Sequence, residues 1–144
     1  MSRKIYLVGS LRDPNVPDLA ETLRASGHEV FDEWFSAGPI ADDSWQAHQT
    51  AKGVSYQDAL KGPAATHVWE FDDKWLRWAD TVIMVGAGKS RGIELGVCIG
   101  RGAEGFIFLP DGEPERWDVM YRYAKDVVYT VEELVRVLER SNSL

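Results

Sequence analysis

Residues 81–96 constrain the fold more than any other stretch of the chain. Thr81-Val82-Ile83-Met84-Val85 is an unbroken apolar run, rich in β-branched residues. Gly86-Ala87-Gly88-Lys89 follows, and then an apolar, glycine-containing segment that opens Ser90-Arg91-Gly92-Ile93-Glu94-Leu95-Gly96. A short strand with no polar alternation is buried on both faces, which is the mark of a parallel sheet covered by helices. The glycine loop is long enough only for a direct turn into a helix. Ligands of open α/β sheets bind outside the carboxyl ends of the strands, so the same junction is the first candidate for a site. Glu94 is expected in the first turn of the helix, where the macrodipole favours an ionised carboxylate. That placement would suit an anionic nucleophile.

The rest of the chain repeats the unit. Lys4-Ile5-Tyr6-Leu7-Val8 reads as a strand ending at Gly9-Ser10. Asp13-Pro14 starts a helix whose apolar positions Val16, Leu19, Ala20 and Leu23 keep helical spacing, and Gly27 stops it. Residues 28–31 form a second strand, 106–109 a fourth and 127–129 a fifth. A helix is expected over 66–78, a short one within 113–124, and a last one from the capping box Thr130-Val131-Glu132-Glu133 to Leu138. Residues 141–144 are expected to fray. The stretch from about 35 to 65 is an irregular helical insertion, with a turn at 36–39 and a helix capped by Asp42-Asp43-Ser44, interrupted by Gly53 and resumed over 56–60. The expected architecture is a single doubly wound (flavodoxin-like) α/β domain over residues 1–144. Its five-stranded parallel sheet has the order 2-1-3-4-5. The loops after Val8 and Val85 then flank one crevice.

Composition narrows the function classes. A net charge of −7 opposes a nucleic-acid partner, which calls for a basic face. No apolar run approaches the roughly 20 residues of a membrane span. Met1-Ser2-Arg3-Lys4 leads straight into a strand, so no signal peptide is expected. Cys98 is the only cysteine and reads as a small buried apolar residue. A cytoplasmic protein without metal or cofactor is expected, since His28, His48 and His67 are scattered and no metal-ligand spacing occurs. Of the six tryptophans, Trp34, Trp45, Trp69, Trp75 and Trp78 fall between positions 34 and 78, where each fills a core or interface or stacks on a flat ligand.

Four clusters carry candidate chemistry. Tyr6, with Gly9, Ser10 and Arg12 after the first strand, offers a close backbone approach and donors to an anion. It is not a phosphate loop of the Walker type, and Gly88-Lys89-Ser90 lacks the upstream glycine because Ile83 stands in that place. Asp72, beside Asp73, sits on the helix before the third strand. Asp80 lies at the start of that strand, far from the crevice, and reads as a structural cap. Ser90 and Glu94 complete the set. A Ser-His-Asp triad has no supporting motif.

These motifs, in this order and spacing, resemble the nucleoside 2-deoxyribosyltransferase-like superfamily, which includes deoxyribosyltransferases and nucleotide N-glycosidases. The resemblance rests on Ile5-Tyr6-Leu7-Val8-Gly9-Ser10, on the helix from Asp72 to Asp80, and on Gly92-Ile93-Glu94-Leu95-Gly96. It implies that Glu94 is the nucleophile that attacks the anomeric carbon, that Asp72 assists at the nucleobase, and that Tyr6 positions nucleophile or substrate. It implies a phosphate-side loop of Gly9, Ser10 and Arg12, with further substrate contacts from Gly88, Ser90 and Gly92. It also implies a homo-oligomer (dimer or tetramer) that binds a small nucleoside or nucleotide. Where the transferases carry an Asp six residues before the nucleophile and the nucleotide hydrolases tend to carry a Ser, this chain has Gly88. The expected activity is cleavage of an N-glycosidic bond through a covalent glycosyl-Glu94 intermediate, by hydrolysis or transfer to another base. The alternatives are a nucleotide-binding or sensing domain without catalysis, motivated by Gly88, and a glycohydrolase of NAD type enclosed by the insertion.

Overall fold

The computed structural model describes residues 2–142. Strand β1 (Lys4–Val8) leads to helix α1 (Val16–Ala25) and strand β2 (Glu29–Phe31). Pro17 sits in the first turn of α1, where its missing N–H costs nothing, and Gly27 ends the unit at φ 96°. A 3₁₀ turn over Glu33–Ala37 occupies part of the expected turn region. Helices α2 (Ala41–Ala51), α3 (Tyr56–Ala59) and α4 (Pro63–Trp78) follow, so the last helix starts three residues earlier than 66. Asp42 and Asp43 lie inside the first turn of α2, with Ile40 at the cap position. They complement the dipole instead of capping the helix.

Strand β3 (Thr81–Val85), helix α5 (Lys89–Gly100), strand β4 (Glu104–Phe108), strand β5 (Asp126–Val128) and helix α6 (Val131–Asn142) complete the chain. The helix expected within 113–124 contracts to a 3₁₀ turn over Val119–Tyr123, because Pro114 and the lack of an apolar stripe leave nothing to extend it. The capping box forms: the Glu133 backbone N–H donates to Thr130 Oγ1 at 3.1 Å, while the Glu133 carboxylate accepts from Thr130 Oγ1 and from the Tyr129 N–H. Helix α6 stays regular to Asn142, past the point where fraying is expected. Ser143 and Leu144 lie outside the described residues.

All five strands are parallel, in the order β2-β1-β3-β4-β5. Successive side chains of a strand point to opposite faces. Ile5, Leu7, Ile83 and Val85 therefore face α1 and α6, packing on Leu19, Leu23, Leu134 and Leu138. Tyr6, Val8, Val82 and Met84 face α4 and α5, packing on Leu76, Leu95 and Cys98. The topological switch falls between β1 and β3, which places the loops after Val8 and Val85 side by side. Among the described residues no helix is long and apolar enough to cross a membrane.

Asp80 and Cys98, read as structural from the sequence, have those roles, and His28 is structural as well. Asp80 accepts from the Lys4 N–H at 3.1 Å and from Thr81 Oγ1 at 2.8 Å, tying β1 to β3. His28 is buried, and its Nδ1 accepts from the Arg3 N–H. Cys98 is fully buried, with its thiol on the Leu76 carbonyl oxygen of α4, and burial pushes that thiol up to about 11.

The approach of α5 to the sheet depends on Gly105 in β4. A Cβ there would stand 2.5 Å from Ile99 Cδ1 and 3.2 Å from Leu95 Cδ1. Gly105→Val is expected to destabilise the protein by about 1–3 kcal/mol through overpacking. Thermal unfolding followed by circular dichroism should show a lower Tm. An unchanged Tm would mean that α5 moves aside without cost.

Candidate active site

Three elements bring titratable side chains together on one face of the sheet. Tyr6 points from the middle of β1 toward α4 and α5. Asp72 stands on α4 one turn before Leu76, which anchors that helix to the core, so both share a face. Glu94 stands on α5 one turn before the buried Cys98. All three open into a cleft of about 840 Å³ at the carboxyl ends of β1 and β3, within the usual size of a small-molecule site.

Glu94 is not in the first turn of its helix. Helix α5 begins at Lys89 with Gly88 as its cap, and its first turn contains no acidic residue. Glu94 is therefore in the second turn, where the macrodipole has largely fallen off. Burial controls its proton instead. Desolvation pushes Glu94 up to about 7, with the Tyr6 hydroxyl opposing and the charge of Asp72 adding to the rise. Desolvation alone pushes Asp72 up to about 6. Burial and the two carboxylates hold Tyr6 far above its ordinary range, so it stays a neutral hydroxyl. That hydroxyl is buried, faces the Glu94 carboxyl and makes no well-aligned hydrogen bond, which leaves it free to donate to whichever oxygen carries charge.

The adjacent aspartates diverge completely. Asp73 ion-pairs with Arg101 of α5 at 2.8 Å and with Arg77 one turn on at 3.0 Å. The Arg101 hydrogen bond, followed by that from Arg77, lowers its proton affinity. Asp73 fastens α4 to α5, and Asp72 is left facing the cleft without a cation.

The remaining candidates separate. Gly9, Ser10, Arg12, Gly88 and Ser90 line the cleft, whereas Gly92 is exposed outside its lining. The space above Gly9 is taken by protein, because a Cβ would meet Val16 Cγ2 at 3.0 Å and the Trp34 ring at 3.4 Å. That glycine permits packing instead of ligand approach. The Ser10 hydroxyl accepts from the Arg12 N–H at 3.1 Å and stiffens the loop. Arg12 is exposed and ion-paired with Asp43 of α2 at 3.2 Å, so its charge is partly spent on the insertion.

The insertion forms the opposite wall. Pro39, Asp42, Trp45 and Leu60 line the cleft there, and Trp69 and Phe71 line it from α4. Trp69 is 64 % exposed, neither core nor covered interface within the chain. Trp34 donates from Nε1 to the Leu7 carbonyl at 2.7 Å, closing the end of β1. Trp75 stacks on Phe31 with ring centroids 4.7 Å apart, behind the site. Trp117, outside the cleft, is 80 % exposed.

Residues that the sequence pattern did not single out also line the cleft, Arg91 and Leu11 among them. For Arg91 a signal existed: it lies one helical turn before Glu94 in the same motif, on the same face. No protein-family model matches the chain, and no curated protein matches it.

Proposed function

We propose that this protein cleaves the N-glycosidic bond of a nucleoside or nucleoside monophosphate, with Glu94 as nucleophile and Asp72 as acid. The observation that carries this reading is the pair of carboxyls, Glu94 and Asp72, desolvated together beside a neutral tyrosine in one cleft. Two carboxyls whose surroundings raise their proton affinity hold a proton between them near neutral pH, as double-carboxylate glycosidases require. In the productive form Glu94 is ionised and Asp72 carries the proton, the less populated arrangement of the one shared proton, because Glu94 holds a proton more tightly than Asp72. The Glu94 carboxylate bonds to C1′ as the C1′–N bond breaks through an oxocarbenium-like transition state, and the Asp72 proton passes to the departing base. Water, giving up a proton to Asp72, then releases the sugar and frees Glu94. A second base taking the place of water gives transfer.

Tyr6 supports the same steps. Its hydroxyl can stabilise the Glu94 carboxylate as it forms and again as it leaves. Trp45, Trp69 and Phe71 offer aromatic walls for a flat base. The reading calls for no metal or cofactor, because the nucleophile, the acid and the oriented hydroxyl supply the chemistry. The resemblance to the nucleoside 2-deoxyribosyltransferase-like superfamily, carried by the same residues, points the same way and to a homo-oligomeric, cytoplasmic protein. Hydrolysis is preferred to transfer, because Ser10, Ser90 and the arginines of the cleft suit an anionic substrate.

The test is a screen for base release across nucleosides and nucleoside monophosphates at high enzyme concentration. Release from at least one substrate is expected. Base exchange far faster than hydrolysis would make the protein a transferase. Ligand binding with no release from any substrate would leave a nucleotide-binding domain and overturn the activity.

A further inference from the structure

The loop after β3 has a cation built over it. A Cβ at Gly88 would stand 2.5 Å from both Nε and Nη2 of Arg91, and one at Gly86 would stand 2.9 Å from its Nη1. Gly88 has an extended φ of 172°, which any residue adopts, so backbone conformation does not require glycine there. What glycine provides is room, and the Arg91 side chain fills it. Arg91 Nη1 donates to the Val85 carbonyl at 2.9 Å, which anchors the guanidinium at the end of β3. One of its five N–H donors is thereby used. No carboxylate pairs with Arg91 among the described residues, although Asp72, Glu94 and Asp42 all line the same cleft. Arg12, in contrast, already holds Asp43.

We infer that Arg91, and not Arg12, selects an anionic substrate in this cleft, by holding the phosphate of a nucleoside 5′-monophosphate. A half-buried guanidinium with no counter-charge is costly unless a ligand supplies one. Its planar fork suits the bidentate geometry of phosphate oxygens. Arg91 precedes Glu94 by one helical turn on the same side of α5, a rise of about 4.5 Å. A pentose with its anomeric carbon at Glu94 can therefore extend its 5′ arm back toward the loop. The glycine at 88 is what lets the arginine reach that place from the helix.

The inference rests on the N-glycosidase reading for its choice of substrate, and binding measurements separate the two. In a Glu94→Gln background, calorimetry is expected to show tighter binding of a nucleoside 5′-monophosphate than of the matching nucleoside. Adding Arg91→Gln should reduce that preference about 10- to 100-fold, Arg91→Lys should retain part of it, and inorganic phosphate should compete. Adding Arg12→Gln should change it by less than about fivefold, as for an exposed ion pair. With Glu94 intact, the ratio of kcat/KM for the two substrates should follow the same order, and each ratio is its own control for folding. Equal binding of nucleoside and monophosphate, or a preference lost with Arg12→Gln and kept with Arg91→Gln, overturns the inference. Preferential binding that depends on Arg91 but leads to no base release would uphold it and refute the activity.

Discussion

Glu94→Gln is expected to abolish base release, a loss on the order of 10⁴-fold or more, while the protein stays folded. A group that forms the covalent intermediate cannot be spared, and removal of such a nucleophile has effects of at least this size. The amide keeps the size of the carboxyl and fits the same space beside Tyr6. Quenching the wild-type reaction and weighing the protein by mass spectrometry should reveal a glycosyl adduct on the peptide that contains Glu94. Full turnover by the variant would sink the assignment.

The same substitution has a second, opposite consequence. The Glu94 carboxyl is pushed from 4.5 up to about 7, so the folded protein holds this proton more tightly than the unfolded chain does. Below about pH 4.5 the group is neutral in both states and its burial carries no charge penalty. As pH rises toward about 7, the unfolded state releases its proton first, and stability falls. The loss is complete above about pH 7 and is on the order of 3 kcal/mol. Glutamine has no charge to bury. Denaturant unfolding should therefore find Glu94→Gln more stable than wild type at pH 8, with the difference vanishing near pH 4. Parallel pH dependences for the two proteins would show that Glu94 does not titrate as described.

Asp72→Asn is the other large effect. Removal of a general acid lowers rates by about 10²- to 10⁴-fold, and more for bases that leave poorly without a proton. In wild type, kcat/KM should trace a narrow bell whose limbs lie near 6 and 7, values that belong to the pair. Below the bell Glu94 is protonated and cannot attack. Above it Asp72 is ionised and cannot donate. Asp72→Asn should lose the alkaline limb. Its acid limb should persist, at or slightly above its wild-type position, because Asp72 is neutral on that limb and the amide stands in for its protonated form. A flat wild-type profile between pH 5 and 9 would contradict the pairing.

The sheet was largely legible in the chain, for a reason specific to its strands. All of Thr81–Val85 is buried, as are four of the five residues of β1, so hydrophobicity alone marks them. Short links between strands and helices then leave few topologies, and the order 2-1-3-4-5 follows from parallel pairing with a single switch. Elements with weak apolar periodicity were less legible. The 3₁₀ turn at Glu33–Ala37 is held by the Trp34 indole on Leu7, a contact across 27 positions that no local pattern announces.

The site divides along the same line. The residue types and their order along the chain picked out Tyr6, Asp72 and Glu94, and the structure gathers all three in one cleft. Their electrostatics were not legible. Starting α5 at Lys89 puts Glu94 in the second turn, so that burial and not the dipole governs its proton. Asp72 and Asp73 are indistinguishable as letters. Arg101 and Arg77 capture one and leave the other to the cleft. Arg12 promised a phosphate contact but is held by Asp43, whereas the spacing of Arg91 from Glu94 was legible but its seat over Gly88 was not.

The sequence by itself determined the α/β architecture, the switch point and the set of side chains available there, because burial pattern and turn chemistry are local properties of the chain. The tertiary structure alone decided which of those side chains are charged, paired or free. Desolvation and ion pairing depend on neighbours brought from distant parts of the chain, and proton affinity follows those neighbours instead of the residue's own identity.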